Sequence, residues 1–262
     1  MNYMEETKAL LLFTRKHREK DMLVKLFTEK YGKKMFFVKN VTRKNHPLRP
    51  ALLAFTEANY IGTLKQEGLS FLNDAKDIRY FSQLQHDIFL NAYGTYILNL
   101  ADLAIEDNHY DPALYGFTRD VLRLIDEGKD PEILTNLYEI QLLERFGVNF
   151  DWRACQVCGT HQGVFDFSSQ YHGLLCANHF DCDPHRYHFD PKAVHVLRLL
   201  ANVSLEQLNQ IHVKQVTKNH LREAIDQLYH DFVGVKPKSK RFIDKMKEWE
   251  GLLKPSDTES HD

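Results

Sequence analysis

Two short pairs of metal-binding side chains stand close together in this 262-residue chain. Cys155-Gln-Val-Cys158 is followed by 17 residues and then by Cys176-Ala-Asn-His179. Zinc takes four thiolate or imidazole ligands in a tetrahedron, and two pairs at about this separation have the usual spacing of a zinc ribbon. Gly159, directly after the first pair, relieves the steric strain of a tight turn. The spacing therefore predicts a structural zinc site.

The identity of the fourth ligand leaves a choice. His179 lies three positions after Cys176, and because this short spacing places both ligands on one turn, we expect His179 to be the ligand. Cys182 is the softer donor but lies six positions after Cys176. A further alternative is a degenerate ribbon whose reduced thiols bind no metal. A catalytic zinc would need an open coordination position and a nearby base, and the chain has no H-E-x-x-H.

Other sequence signals narrow the class of protein. The chain has neither a G-x-x-x-x-G-K-[ST] phosphate loop nor a G-x-S-x-G nucleophile elbow. No apolar run approaches the ~18 residues of a membrane span, and the N-terminus lacks the basic-then-apolar order of a signal peptide. We therefore expect a cytoplasmic protein, in which cysteines are thiols or metal ligands rather than disulfides.

Charge is distributed unevenly along the chain. Residues 1–60 contain 13 Lys and Arg against 6 Asp and Glu, a balance of +7, whereas residues 61–262 contain 21 against 30, a balance of −9. A second basic island near the end has one acid, Asp244, among six cations: Lys236, Lys238, Lys240, Arg241, Lys245 and Lys247. This split favours a polyanionic partner for the basic regions, although a lopsided surface can also arise by chance.

The elements that must position these residues change in type along the chain. Short apolar runs at 8–15, 22–27, 35–38, 52–56 and 60–64 predict five strands, and hence a small barrel of OB-fold or SH3-like type. From Tyr80 onwards, apolar residues recur at helical spacing. Asp111-Pro112 and Asp190-Pro191 are typical helix starts, and Val164–Phe167 with Leu174-Leu175 predicts a hairpin between the cysteine pairs.

The order of these features resembles the bacterial RecO family of recombination mediators. Four stretches carry the resemblance in the family's order: 26–33 (LFTEKYGK), 83–100 (QLQHDIFLNAYGTYILNL), 138–150 (YEIQLLERFGVNF) and 221–246, which contains Lys238-Ser239-Lys240-Arg241. In one departure, His179 stands where family members with a ribbon usually have a fourth cysteine. Zinc also accepts a Cys3His ligand set.

The resemblance implies an α+β multidomain fold with an N-terminal OB-fold β-barrel, a helical domain and an embedded zinc ribbon. On this basis residues 1–79 form the OB-fold DNA-binding domain. Residues 80–150 and 186–250 form the helical domain, residues 151–185 the zinc-ribbon insert, and residues 251–262 a disordered tail.

The resemblance also implies a function. The family binds single- and double-stranded DNA, anneals complementary strands, and works with RecR and the single-stranded-DNA-binding protein to load RecA on coated DNA in gap repair. It implies a structural Zn²⁺, no enzymatic activity, no membrane partner and a cytoplasmic, nucleoid-associated location. The alternatives are an adaptor that binds no DNA and a zinc-dependent nucleic-acid enzyme.

Carried onto this chain, the DNA contacts are the basic residues of the barrel: Arg15, Lys16, Lys33, Lys34, Lys39, Arg43 and Lys44. They would neutralise phosphates and release counterions. Phe36, Phe37 and Tyr60 are candidates for base stacking, although strand aromatics more often lie in a core. The Lys238, Lys240 and Arg241 patch is either a second DNA contact or the site for the acidic tail of the single-stranded-DNA-binding protein.

Overall fold

A computed structural model describes residues 3–65, 68–210 and 212–253. It is a mixed α+β structure in which strands form most of the N-terminal part and helices most of the rest. The chain divides into two compact units. The barrel unit comprises Met1–Asp102, Asp107–Tyr115 and Lys236–Asp262, and the ribbon unit comprises Leu103–Glu106 and Gly116–Val235.

The barrel unit is built on five strands that close into a barrel in the order β1-β2-β3-β5-β4. Neighbouring strands are antiparallel except for β3 and β5, which run parallel. The strands are β1 (Tyr3–His17), β2 (Asp21–Thr28), β3 (Gly32–Val38), β4 (Thr56–Leu64) and β5 (Ser70–Tyr80). The predicted runs 8–15, 22–27 and 35–38 lie within the first three strands, which confirms them.

Alternation along the strands separates an apolar core from an outer face. Val24, Leu26 and Phe36 point into the barrel and are at most 1% exposed. Burying each such side chain contributes roughly 1.5–3 kcal/mol. Leu23 and Phe37, their neighbours along the strands, are paired directly across β2 and β3 and therefore share the opposite, outer face.

The run 60–64 lies within β4 and is confirmed, but one predicted strand differs from the structure and one strand was not predicted. The run 52–56 is not a strand, because Pro50–Leu52 form a 3-10 turn and β4 begins only at Thr56. The apolar side chains around this run are buried instead, with Ala51 0% and Phe55 3% exposed. The missed strand is β5, most of whose side chains are exposed or half-buried, so it lacks the apolar alternation that marks a strand in sequence.

A loop after the second helix closes over the start of β3. The Asn108 N–H donates to the Lys33 carbonyl at 2.8 Å, and Lys33 and Asp107 form a parallel bridge. Gly32 has a left-handed φ of +67°, and a Cβ there would lie 2.0 Å from the His109 carbonyl oxygen. Glycine is therefore required at position 32 for two reasons, its φ and this close approach.

Helices complete the barrel unit. They are α1 (Ser82–His86), α2 (Ile88–Ala104, except its last two residues), the start of α3 (Pro112–Asp126) and α7 (Lys238–Leu253). The Asp111 carboxylate accepts from the Leu114 N–H at 2.8 Å, which confirms the predicted start of α3. Ile243 and Met246 of α7 are buried, and Ser239 donates a 2.8 Å hydrogen bond to Asn99 of α2. These contacts fix which face of α7 is exposed.

The ribbon unit combines helices with a three-stranded sheet in the order β6-β8-β7. Its elements after α3 are α4 (Pro131–Leu142), β6 (Asp151–Cys155), β7 (Phe165–Ser168), β8 (Gly173–Cys176), α5 (Pro191–Asn202) and α6 (Gln215–Leu228). Short 3-10 segments span Leu143–Phe146, Ala177–Cys182 and Leu205–Gln210, and a π-helical turn spans Tyr229–Val233. The antiparallel β7–β8 pair confirms the predicted hairpin, and Asp190 caps α5 as expected.

An aromatic cluster and a buried ion pair help to hold the ribbon unit together. Phe167 of β7 contacts the rings of Phe150, Trp152 and Tyr187 at centroid distances of 4.7, 5.2 and 5.0 Å. Such pairs add about 0.5–1.5 kcal/mol each beyond their buried area. In the helices, the fully buried Glu139 carboxylate forms a two-pronged ion pair with the Arg222 guanidinium.

The two compact units divide within α2 and α3, whereas the sequence placed a domain boundary at residue 79. Compact units are not the same as domains, so the predicted domain boundaries stay predictions. Backbone 251–253 continues α7 where a disordered tail was expected, and residues 254–262 lie outside the described residues. Among the helices described, none is both long and apolar enough to span a membrane.

Candidate nucleic-acid interface and metal centre

A group of exposed cations lies at one end of the barrel, and we name it the rim patch. Lys16 of β1 pairs with Met22 of β2, and Met22 pairs with Val38 of β3, so the ends of β1 and β3 lie at the same end of the barrel, on either side of β2. Lys39 follows Val38 there. The Thr42 N–H donates to the Lys20 carbonyl at 3.4 Å, which keeps the loop after β3 close to the β1–β2 turn. The exposed members of the rim patch are Arg15, Lys16, Arg18, Lys20, Lys39, Arg43 and Lys44.

The rim patch includes five of the seven predicted DNA contacts. Arg18 and Lys20 were missed, although both stand in the basic sequence KHREK between two predicted strands. The charged turn that these residues form between two predicted strands could have identified them as exposed cations. Seven cations at one end of a barrel form a surface that attracts a polyanion.

An aromatic platform lies on the outer face of the barrel. Phe37 of β3 and Phe71 of β5 are paired across the parallel strands, and their rings meet edge to face at 6.0 Å. Phe71 is 41% exposed. His17 contacts Phe37 at 5.9 Å, and the Lys65 ammonium lies 4.9 Å from the Phe71 ring centroid. An exposed ring with a cation beside it can stack an unpaired base and hold its phosphate.

Of the three predicted stacking residues, only Phe37 belongs to this platform. Phe36 and Tyr60 are wrong as stacking candidates, because both are buried in the barrel core at 1% exposure. Tyr60 donates to the Ala51 carbonyl at 2.6 Å, and burial, with Tyr80 nearby, raises its pKa. Phe71 was missed because β5 shows no strand pattern in the sequence.

Lys33 requires a correction as a DNA contact, whereas Lys34 stays a prediction. Lys33 is 2% exposed and its ammonium lies 3.0 Å from the Asp102 carboxylate and 3.6 Å from that of Asp107. A phosphate cannot reach it without opening this cluster, so Lys33 is a structural residue. Lys34 is half-buried and donates to Asn108 at 2.6 Å, and burial lowers its pKa.

Of the three predicted residues of the C-terminal patch, two are exposed and one is largely buried. Lys238 and Arg241 are exposed on α7, as a binding surface requires. The Lys240 side chain is only 13% exposed and forms an ion pair with Asp244 at 2.5 Å. Lys240 is therefore largely removed from the patch.

Four donor atoms converge at one end of the ribbon sheet. The Sγ atoms of Cys155, Cys158 and Cys176 and the imidazole of His179 all lie within 4.8 Å of one another. Cys155 ends β6, Cys176 ends β8, and the 3-10 turn after β8 brings His179 back to the sulfurs. Cys182, the rival fourth ligand, is exposed and lies outside this cluster.

The distances between the donors fit a tetrahedral metal site. Zn–S bonds of about 2.3 Å and Zn–N bonds of about 2.0–2.1 Å require S···S separations near 3.8 Å and S···N separations near 3.6 Å. Cys158 and Cys176 are 3.8 Å apart, and His179 Nδ1 lies 3.7 Å from Cys155 and 3.2 Å from Cys176. Gly159, directly after the first two ligands, takes a φ of +70°, as predicted for the tight turn there.

Backbone groups prepare one of these thiols for metal binding. Burial alone raises the pKa of Cys155, but N–H groups of the turn and of Cys176 outweigh it and lower that pKa to about 6. The Cys176 N–H donates to the Cys155 sulfur at 3.3 Å. Burial and the neighbouring thiols raise the pKa of Cys176. One ligand is thus a thiolate at neutral pH, and metal binding must displace the proton of another.

Comparison with known proteins agrees with this architecture. Residues 1–81 match the family model "Recombination protein O N terminal", and residues 85–241 match "Recombination protein O C terminal". The DNA repair protein RecO of Enterococcus faecalis is 58% identical over 249 residues, covering 95% of each chain. The RecO proteins of Lactococcus lactis subsp. cremoris MG1363 and Lactiplantibacillus plantarum are 44% and 43% identical, covering 95–96% of this chain and 98% and 97% of theirs. The chain belongs to the RecO family.

Proposed function

We propose that this chain is a non-enzymatic DNA-binding mediator of recombinational repair. It binds single- and double-stranded DNA, anneals complementary strands, and helps load RecA on DNA coated by the single-stranded-DNA-binding protein, together with RecR. The relatives' name, DNA repair protein, supports the repair role. The observation that carries the proposal is the aromatic platform beside the rim patch on one barrel.

The barrel topology supports an OB-fold. OB-folds are five-stranded barrels that bind oligonucleotides on the face of strands 2 and 3, between the β1–β2 and β4–β5 loops. In this barrel Arg18 and Lys20 lie in the β1–β2 turn, Phe37 lies on β3, and Lys65 and Phe71 flank the β4–β5 loop. The cations would neutralise phosphates while the rings stack bases.

We assign the Cys3His cluster to structural Zn²⁺, held by Cys155, Cys158, Cys176 and His179. Four protein donors complete a tetrahedron and leave no open position for a substrate, which argues against a zinc enzyme. His179→Ala is expected to abolish stoichiometric zinc, and Cys182→Ala to retain it, as measured by metal analysis of the purified protein. Zinc lost on substitution of Cys182 but kept without His179 would contradict the ligand assignment.

The test of the function is strand annealing. Two complementary strands are precoated with their single-stranded-DNA-binding protein, and the annealing rate is measured with and without this chain, in the absence of ATP. Acceleration without cleavage supports the mediator. No acceleration, and no DNA binding even at low salt, supports the adaptor, while cleavage that a chelator abolishes supports the enzyme.

Variants connect the activity to the barrel. Replacing three rim cations in Lys16→Ala/Lys39→Ala/Arg43→Ala is expected to reduce the slope of log K against log salt by about 2 on single strands, at about 0.7 for each lost phosphate contact. Phe37→Ala/Phe71→Ala is expected to weaken single-strand binding by about 1–3 kcal/mol per stacked base and to spare duplex binding. Lys129→Ala/Lys192→Ala/Lys214→Ala removes three exposed cations of the ribbon unit and is the matched control.

A further inference from the structure

Helix α7 has an exposed basic face that the barrel interface does not include. Lys238, Arg241, Phe242 and Lys245 are spaced i, i+3, i+4 and i+7, so they lie on one side of the helix. All four side chains are exposed, with Phe242 at 39%. The buried residues Ile243 and Met246 project from a different side, which holds the basic face toward solvent.

Among the described side chains, no carboxylate pairs with the cations of this face. In the part of the chain that the structure describes, Lys238, Arg241 and Lys245 have no carboxylate within 4.0 Å. By contrast, Lys240 pairs with Asp244 on the same helix, and Lys33 pairs with Asp102. Three neighbouring unpaired cations therefore form a surface for an external polyanion.

We propose that this face of α7 binds a second single strand of nucleic acid. At 1.5 Å per residue, Lys238 and Lys245 are about 10.5 Å apart along the axis, which spans roughly three nucleotide steps of about 3.4 Å. Phe242 lies between the cations and presents an exposed ring on which a base can stack. The face needs no groove for this, because a strand can follow a convex basic ridge.

An acidic peptide is the competing ligand of the same charge. Peptides usually bind in a groove, at a sheet edge or in a socket for an apolar side chain. Here the apolar group, Phe242, is 39% exposed on the helix surface, where its ring is accessible to a base. The observations therefore favour a nucleic-acid strand, and the peptide becomes an outcome of the test.

The inference extends the proposed function, since the barrel would hold the first strand and α7 the second. Annealing requires that two strands be brought together, and α7 belongs to the same compact unit as the barrel. One chain would thus hold both strands before they pair.

The test uses the full-length protein and two non-complementary oligothymidylate strands, one with a donor and one with an acceptor fluorophore. The molar mass from light scattering identifies the complexes that contain one protein chain, and energy transfer is measured on those complexes alone. For the wild-type protein we expect energy transfer between the two strands. For Lys238→Ala/Arg241→Ala/Lys245→Ala we expect unchanged binding of the first strand, loss of the transfer, and a salt slope for the second strand smaller by about 2.

Phe242 gives an independent readout. Phe242→Ala should weaken the second strand roughly tenfold, a loss within the range for one stacked base. Phe242→Trp should keep binding and report it by quenching of the new tryptophan. The Lys129→Ala/Lys192→Ala/Lys214→Ala control should behave as wild type.

The possible failures are distinct. A protein that binds no single strand refutes the proposed function itself. A protein that binds the first strand while the α7 triple variant captures the second with unchanged affinity refutes only this inference. Quenching of Phe242→Trp by an aspartate-rich peptide, with none by oligothymidylate, assigns the face to a protein partner and also overturns it.

Discussion

Replacing Lys33 tests whether this residue belongs to the barrel or to the DNA interface. Its ammonium shares the Asp102 and Asp107 carboxylates with Lys25, which lies 2.6 and 2.9 Å from them. Lys33→Met keeps the apolar stem and removes the charge. The balance of the cluster then changes from two cations and two anions to one cation and two anions.

The effect on stability follows from these contacts. At 3.0 Å and an effective dielectric constant of about 20, the attraction between Lys33 and Asp102 is about 5.5 kcal/mol before desolvation. Desolvation of the buried ammonium offsets several kcal/mol, and Lys25 still neutralises Asp102 in the variant. Asp107 is half exposed, so its pair with Lys33 adds little. We expect a net loss of about 2 kcal/mol and a Tm lower by about 4–8 °C.

The charge state of the cluster sets the conditions of the assay. Burial alone lowers the pKa of Lys25, but hydrogen bonds and charges from Asp102 and Asp107 outweigh it and raise that pKa above 10.5. A raised lysine pKa contributes stability that is fully present below pH 10.5 and is lost as pH rises through the folded value. Lys25 is therefore charged at neutral pH, where Lys33→Met is compared with wild type.

Thermal unfolding and DNA binding are measured on the same samples. Lys39→Met, at an exposed rim position, is the matched control and should leave Tm nearly unchanged while reducing the salt slope by about 0.7. Lys33→Met should lower Tm and leave the salt slope unchanged. An unchanged Tm for Lys33→Met together with a slope smaller by about 0.7 would refute the structural role and return Lys33 to the DNA interface.

Three further predictions concern the core and the cluster. In metal-free protein, the thiolate absorbance of Cys155, identified as the part that Cys155→Ser removes, should titrate near pH 6. Because the pKa of Cys155 is lower in the folded than in the unfolded protein, its thiolate stabilises the fold fully above the unfolded-state pKa. This stabilisation is lost as the pH falls through about 6. Glu139→Gln should destabilise the protein to chemical denaturant by about 1–3 kcal/mol, since it replaces the buried carboxylate beside Arg222 with a neutral amide while Asp226, at 2.7 Å, still pairs with Arg222. Gly32→Ala should lower Tm clearly, because its Cβ would overlap the His109 carbonyl, and an unaltered melting curve would contradict the close approach.

The metal cluster could be predicted from the sequence because its geometry is local. Each ligand pair spans one turn, and a short hairpin brings the pairs together, so spacing alone predicts the set. The choice of His179 over Cys182 also followed from spacing. The first three strands were equally accessible, since their inner positions are consistently apolar.

The aromatic platform and the ion cluster could not be predicted in this way. Phe71 lies on a strand with little apolar alternation, and its partner Phe37 is 34 positions away. Lys33 carries the same local signal as an exposed lysine, and its burial depends on Asp102, 69 positions further on. Such pairings arise from tertiary structure, so a single sequence contains no periodic trace of them.

The ion cluster also changes the meaning of the charge asymmetry. The first 60 residues carry a balance of +7, but Lys25 and Lys33 are neutralised by Asp102 and Asp107, which lie outside that range. Removing these two charges leaves +5 on the segment, and the exposed cations at one end of the barrel account for the surplus. Part of the basic character therefore stabilises the barrel, and the salt dependence of DNA binding should report the rim cations rather than the total.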